Sequence, residues 1–319
     1  MKILLTGASG FIGGAFWQRY RERADIEIFG VGRRKLPDDH YASIDLSRPF
    51  DLPFTPDVVI HGAARSSPWG SRAEFQRQNV EATRQVIQFC ERNGNPKLLY
   101  VSSSSVFYRN AHQFDITEET PIGPDFVNEY AATKYAGEEL VRAYAGSHAI
   151  LRPRAVFGPG DTVLFPRILR AAQKNRLPLF ETDGPPAIGD LIYIEVLCEY
   201  MLKAAMDPAI EGDYNLTNGE PVEIQAFLLQ VFERLGLPRP RRTVRVSTAM
   251  ALAGATEALY SVLRLPWEPP ATRFGVGVFA YSKTFDVSKM LRDFGPPLCS
   301  VQEGLERFVA WKREGGWPA

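Results

Sequence analysis

The chain has 319 residues, 45% hydrophobic and 23% charged, with 37 Lys+Arg against 37 Asp+Glu. That length buries a large core, as one big domain or as a nucleotide-binding domain with a smaller partner. The balanced charge offers no general electrostatic grip on nucleic acid or on an anionic membrane. The three cysteines, Cys90, Cys198 and Cys299, are far apart and odd in number. They supply neither a disulfide framework nor metal-ligand spacing, so no metal is expected, and they point to a reducing compartment.

The apolar start, Met1 to Gly7, is too short for a signal peptide. No segment reaches the roughly 18–20 uncharged apolar residues of a spanning helix. The nearest approach, residues 244–267, is interrupted by Arg245, Glu257 and Arg264. It reads as an amphipathic helix of a second domain, with a membrane-surface role as the alternative. The expected location is the cytoplasm.

In chain order, short β-branched runs at residues 2–6, 26–31, 58–61, 98–102 and 149–152 alternate with helical patterns at 13–22, 72–93 and 129–145. Such alternation predicts an α/β fold, a doubly wound parallel sheet of Rossmann type with helices on both faces. After Gly160 the helical stretches 164–174, 195–205 and 224–235 mix with Pro-rich turns such as Gly184-Pro185-Pro186. The division expected is a dinucleotide-binding domain over 1–160, to which some later segments return, and a smaller, mainly substrate-binding domain over 161–319 at the sheet's carboxyl edge.

Gly7-Ala8-Ser9-Gly10-Phe11-Ile12-Gly13 follows the first strand and opens a helix. Glycines there permit a tight turn and close approach of backbone to a pyrophosphate, whose charge meets the helix N-terminus. The spacing is one residue longer in its first interval than the usual dinucleotide fingerprint. The second strand ends Gly32-Arg33-Arg34, where NAD enzymes usually carry an acidic residue for the ribose hydroxyl. Gly32 leaves room, and Arg33 or Arg34 can bind a 2′-phosphate bidentately, so NADP is expected over NAD. Asp45-Leu46, after a third strand, is placed to meet the adenine.

Tyr130 and Lys134 lie four apart in a helical stretch and share one face. A phenol titrates near 10, and a neighbouring ammonium favours the phenolate, which would let Tyr130 exchange a proton with a carbonyl or alcohol oxygen. Ser102-Ser103-Ser104-Ser105 ends the fourth strand of the list above, and a hydroxyl there can hydrogen-bond the substrate oxygen as charge develops.

The succession of Gly7, Gly10 and Gly13, then His61-Gly62-Ala63-Ala64, Asn79-Val80, Ser102 to Ser105, Tyr130 with Lys134, and Arg152-Pro153 with Gly158-Pro159-Gly160-Asp161 resembles the extended short-chain dehydrogenase/reductases, over essentially the whole chain. It is most similar to the 3β-hydroxysteroid dehydrogenase-like branch, which includes sterol-4α-carboxylate dehydrogenases and bacterial 2-alkyl-3-oxoalkanoate reductases. Pro68-Trp69-Gly70, Gly189-Asp190-Leu191-Ile192-Tyr193 and Phe285-Asp286-Val287-Ser288-Lys289 carry that likeness. The resemblance implies Ser103 as the catalytic hydroxyl, Tyr130 as general acid/base, and Lys134 as the residue that lowers its pKa and binds the nicotinamide ribose. It implies Asn79 as support for the active-site helix, Ala63 and Ala64 along the cofactor, Pro153 and Val156 beside the nicotinamide, and a homodimer. Ser104, Ser105, Tyr108, Trp69 and Phe165 are the expected substrate contacts. Two departures stand out: Tyr108 replaces a usual glycine, and Ile194-Glu195-Val196 lacks the asparagine common in this branch.

Three functions remain open at this stage. The first is an oxidoreductase for a ketone or secondary alcohol of a bulky, largely apolar small molecule (sterol, polyketide or β-keto acid), with Leu179, Phe180, Met250, Leu252, Leu259, Tyr260 and Phe279 as further apolar candidates. The second is a nucleotide-sugar epimerase or 4-keto-sugar reductase, needing Arg167, Arg170, Lys174, Arg273 or Lys283 for a diphosphate. The third is a non-catalytic NADP sensor, which would have no use for a tuned phenol.

Overall fold

Seven short strands build the frame of the computed structural model, which describes residues 1–316 other than Asn175, Arg176, Asp183, Arg264 and Pro266. The strands lie in the order Gly212–Leu216, His148–Pro153, Lys97–Val101, Val58–His61, Lys2–Thr6, Glu27–Gly32, Tyr41–Ser43, all parallel. Their interiors are almost wholly buried, as expected where helices cover both faces of a sheet. The chain leaves the first strand toward one edge and returns to the other side at Val58–His61. That reversal opens a crevice at the carboxyl ends of Lys2–Thr6 and Val58–His61.

Helix Phe11–Tyr20 packs Phe16, Trp17 and Tyr20 against the sheet. The predicted helix over 72–93 forms as Arg72–Phe75, one π-helical stretch Gln76–Glu81, and Ala82–Arg92. It starts from a capping box in which Ser71 and Glu74 satisfy each other's backbone N–H. Helix Glu129–Arg142 is capped by Asn128, whose Oδ1 accepts from the Ala131 N–H at 2.9 Å.

Segments after Gly160 return to the sheet. Strand Gly212–Leu216 is its outer edge, and helix Ile194–Met206 packs in the same core, which runs continuously from Ile3 to Val309. A four-stranded sheet of Val222–Glu223, Ile188–Gly189, Lys283–Phe285 and Gln113–Ile116 sits beyond the carboxyl edge. Residues 244–267 depart from expectation. Strand Thr243–Arg245 leads into helix Val246–Val262, which buries its small residues Ala249 and Ala253. Leu252 (61% exposed), Leu259 (54%) and Val262 (79%) face outward. Arg264 lies outside the described residues. Among these, no helix is long and apolar enough to cross a membrane.

A buried ion pair fixes helix Glu129–Arg142 to the sheet. Arg152, fully buried on strand His148–Pro153, reaches Glu138 through Nε at 3.0 Å and Nη2 at 2.7 Å. Asp213 on the edge strand accepts from Arg152 and Arg142, each at 2.6 Å. His61 is likewise buried, its ring nitrogens 2.7 Å from Thr6 Oγ1 and 3.0 Å from Thr83 Oγ1. Burial first, and the Lys134 charge second, push its imidazole from 6.5 down to about 3.

Glu138→Gln is expected to lower unfolding stability by about 3–5 kcal/mol, because Arg152 loses its buried partner. A loss below about 1 kcal/mol in denaturant titration would contradict that anchoring role. Below pH 6.5 the unfolded chain protonates His61 and the folded chain, at about 3, does not. The His61 contribution is therefore full above pH 6.5 and falls with acid, by up to about 1.4 kcal/mol per pH unit. Between about pH 6.5 and 5, above the carboxylate range, His61→Gln is expected to flatten this slope. An equal slope in both proteins would show that another group titrates there.

Candidate active site

The loop after the first strand is shaped by two glycines. Gly7 adopts φ 77° and donates its N–H to Val31 O at 2.7 Å. A Cβ on it would lie 2.8 Å from the Ala63 backbone nitrogen, and one on Gly13 would collide with the Gly7 carbonyl. Gly10 stands at the N-cap of helix Phe11–Tyr20 with no side chain capping the end. The N–H groups of Phe11 and Ile12 thus begin an uncapped helix beside a cradle that side chains would fill, and this fits a pyrophosphate. Gly62, Ala63 and Ala64 follow strand Val58–His61 across the crevice, with the Ala63 N–H on Thr6 Oγ1 at 3.2 Å.

Gly32 corrects one expectation. The space beside it is occupied, since a Cβ there would meet Ser9 Oγ at 2.5 Å and Tyr41 Oη at 2.6 Å. The glycine is needed for that close approach. Arg33 and Arg34 are exposed at the strand end, and Arg33 Nη1 donates to Gln78 Oε1 at 2.8 Å. Asp45 is exposed, takes the Ser47 N–H and hydroxyl on one oxygen, and has its pKa lowered by those bonds and then by Arg77 and Arg48. Leu46 is buried among Phe50, Phe54 and Val59.

Tyr130 and Lys134 rise from one face of helix Glu129–Arg142 toward the end of strand Lys97–Val101. Of the four serines there, Ser102 is buried, its Oγ on Glu138 Oε1. Ser103 is the accessible one. It caps the short 3-10 turn Ser104–Phe107, lies 2.9 Å from Ser105 Oγ, and stands near enough to the Tyr130 phenol to lower its pKa. Ser104 is buried against Tyr108 Oη at 3.2 Å. Ser105 is buried too, so neither it nor Ser104 presents a surface like that of Ser103.

The charge relation within the pair differs from expectation. Burial raises Tyr130 above its ordinary 10.0, and the Ser103 hydrogen bond offsets only part of that rise. Burial also lowers Lys134 to about 7, with Glu138 opposing. Lys134 does not pull the phenol down, because its Nζ is turned to Val101 O at 2.6 Å and over the Tyr100 ring at 4.0 Å. A neutral, protonated phenol hydrogen-bonded to a serine is a proton donor.

Asn79 lies in the π-helical stretch, where the widened turn aims its amide sideways. Its Oδ1 accepts from the Arg65 N–H at 2.7 Å, and its Nδ2 donates to Thr133 Oγ1 at 3.0 Å. It therefore ties the loop after Val58–His61 to the helix of Tyr130. Pro153 ends its strand, and Val156 pairs with Ile192 after Ala155, which holds φ 43°. Trp69 is half-buried, edge-on to Tyr260 at 6.5 Å. Tyr108 is buried and stacks on Phe274 at 6.3 Å.

Phe165 is a correction. It packs in the main core, 4.8 Å from Phe308 and 6.4 Å from Phe157, where no substrate reaches it. Apolar type alone could not separate core from pocket. Glu195, at the departure after Ile194, forms ion pairs with Arg19 at 3.0 Å and Arg307 at 3.2 Å. Sequence reading missed Glu138, whose spacing of four from Lys134 was the available signal, and Thr133, which had none.

A family model described as the NAD dependent epimerase/dehydratase family matches residues 3–217. The 2-alkyl-3-oxoalkanoate reductase of Stenotrophomonas maltophilia is 33% identical over 329 residues, covering 97% of this chain and 99% of its own. The 3beta-hydroxysteroid-dehydrogenase/decarboxylase isoform 1 of Arabidopsis thaliana is 31% identical over 271 residues, 79% of this chain and 61% of that relative. Among solved structures, MoeE5 in complex with UDP-glucose and NAD superposes with TM-score 0.75 at 23% identity, over 98% of this chain and 99% of that one, and shares the fold. With its uncapped glycine-turn helix and its Ser103–Tyr130 pair, the chain belongs to the NAD dependent epimerase/dehydratase family, as an extended short-chain dehydrogenase/reductase of the branch that holds the 2-alkyl-3-oxoalkanoate reductases and 3β-hydroxysteroid dehydrogenases.

Proposed function

We propose that the protein is an NADP(H)-dependent oxidoreductase that interconverts a ketone and a secondary alcohol on a bulky, largely apolar substrate. The observation that carries this reading is the meeting of the accessible Ser103 with the Tyr130 phenol, Lys134 one turn on, at the sheet edge beside the glycine cradle. The nicotinamide supplies or accepts the hydride. Ser103 Oγ holds the substrate oxygen by a hydrogen bond, and Tyr130 Oη gives its proton to that oxygen in reduction or takes one from it in oxidation. Burial keeps the phenol protonated at neutral pH, which suits the reducing direction. Lys134 and Asn79 position the helix from below, on Val101 O and Thr133 Oγ1.

NADP preference rests on charge. Arg33 and Arg34 leave the second strand together, and Arg48 and Arg77 act on Asp45, so basic side chains gather at this end of the sheet. An apolar substrate is supported by the named relatives and by Trp69, Tyr260, Phe180 and Phe279, which pair at the small domain. A nucleotide-sugar substrate would need free basic groups in that region. Of the five basic residues considered for a diphosphate, Arg167 is paired with Glu268 at 3.0 Å, Arg170 donates to Pro166 O at 3.0 Å, and Lys283 is buried on carbonyls, which leaves Lys174 and Arg273.

Tyr130→Phe is expected to lower kcat for a ketone by about 10²–10⁴-fold, while NADPH affinity, read by nicotinamide fluorescence, stays within about twofold. Retention of more than about a tenth of the activity would remove the proton-transfer assignment. Arg33→Ala is expected to weaken NADPH binding by about tenfold or more and NADH far less, since a charge-assisted bond to the 2′-phosphate is lost. Equal losses for the two cofactors would remove the 2′-phosphate reading.

A further inference from the structure

Five large apolar side chains stand in solvent between Leu252 and Trp267: these two, Leu259, Val262 and Leu263, each more than half exposed. They belong to helix Val246–Val262 and to the segment that follows it. Ala251, Leu252, Ala255, Ala258, Leu259 and Val262 form one stripe along that helix, neighbours lying three or four apart, and all are exposed. The stripe carries no charge. Glu257 is the one charged residue from Val246 to Leu263, and it is half-buried, accepting the Arg273 N–H at 2.8 Å. The inner side of the helix is already occupied. Ala249 and Ala253 pack with Val276 of helix Arg273–Ala280, and Tyr260 meets Trp69 edge-on at 6.5 Å. A contiguous exposed apolar surface of this kind marks an interaction site.

Charge indicates what covers it. Arg239, Arg241, Arg242 and Arg245 immediately precede the helix, and all four are exposed. Arg239 pairs with Glu233 at 3.3 Å, whereas Arg241, Arg242 and Arg245 form no ion pair among the described residues. Of the acids close by, Glu268 holds Arg167 at 3.0 Å, and Glu181 lies level with Arg245 across a strand pair. The start of the helix is therefore positive, its outer face apolar, and Trp267 stands beyond its end. A bilayer containing anionic lipid satisfies all three at once. Headgroup phosphates take the guanidiniums, the acyl boundary takes the leucines, and an indole ring settles at the interface between them. With 17 residues, about 25 Å of length, and one side packed in the protein, the helix can lie along such a surface. It is not long and apolar enough to cross one.

We infer that the outer face of helix Val246–Val262, with Arg241, Arg242 and Arg245 at its start and Trp267 beyond its end, docks on the surface of an anionic phospholipid bilayer. This docking stands apart from the reaction proposed above. Because Tyr260 meets Trp69 on the inner side of the same helix, a docked molecule holds the loop after strand Val58–His61 about one helix diameter, roughly 10 Å, from the lipid.

The test is co-sedimentation of the full chain with phosphatidylcholine vesicles and with vesicles of phosphatidylcholine and phosphatidylglycerol at about 7:3. Binding to the mixed vesicles is expected to be at least about tenfold tighter, and to weaken as salt rises. Arg241→Gln, Arg242→Gln and Arg245→Gln together are expected to remove most of that preference. Leu252→Ser with Leu259→Ser is expected to weaken binding to the mixed vesicles by about tenfold. The Trp267 share of the fluorescence, taken against Trp267→Phe, is expected to be quenched by mixed vesicles with brominated acyl chains. No binding to either vesicle, equal binding to both, or binding unchanged by either set of substitutions would overturn the proposal. A dimer that Leu252→Ser with Leu259→Ser separates, in protein that leaves vesicles in the supernatant unbound, would also overturn it and assign the face to a second copy of the chain. If the leucine variant loses its circular dichroism, Trp267 decides: emission unquenched by brominated lipid overturns the proposal.

Discussion

The site depends on how one helix is held against one sheet. Glu129–Arg142 carries Tyr130, Lys134 and Glu138 at intervals of four, so a single helical face points at the ends of strands Lys97–Val101 and His148–Pro153. Glu138 closes on Arg152 with two hydrogen bonds in a fully buried setting. A one-residue slip of the helix would separate that pair and bury two unmatched charges. The same ion pair that sets the helix against the sheet sets the height of Tyr130 above Ser103. Asn79 adds a second restraint at Thr133, from a helix on the same side of the sheet.

The crevice beside this helix comes from chain direction rather than from any single residue. Because the chain reverses its course across the sheet between Lys2–Thr6 and Val58–His61, two loops diverge there and leave a gap. Gly7 and Gly13 let backbone fill the bottom of that gap, and the uncapped start of Phe11–Tyr20 leaves partial positive charge facing it. His61, neutral and held between Thr6 and Thr83, ties the two loops beneath the crevice. The glycine cradle and the Tyr130 phenol thus sit at neighbouring strand ends, each held by buried polar contacts.

Much of this was legible because it is local. The glycine turn, the Tyr130–Lys134 spacing and the alternation of strand and helix are patterns within a few residues, and the structure places them as read. What failed to read depends on tertiary choice. Lys134 turns from Tyr130 to a carbonyl 33 positions earlier in the chain, a competition no helical spacing reveals. Phe165 and Phe180 are the same residue type, yet Phe165 is fully buried core and Phe180 is only half-buried, stacked on Phe279. Helix Val246–Val262 buries alanines and exposes leucines, because close packing on helix Arg273–Ala280 favours small side chains over large ones.

The central claim is hydride transfer between nicotinamide and a carbonyl carbon at Ser103 and Tyr130. The direct measurement is mass spectrometry of the alcohol formed from a 2-alkyl-3-oxo acid in the presence of NADPH deuterated at the nicotinamide C4. The account predicts one deuterium on the new carbinol carbon and one NADPH consumed per alcohol formed. An unlabelled product, or conversion of nucleotide sugars with no net consumption of cofactor while ketones stay untouched, would contradict it.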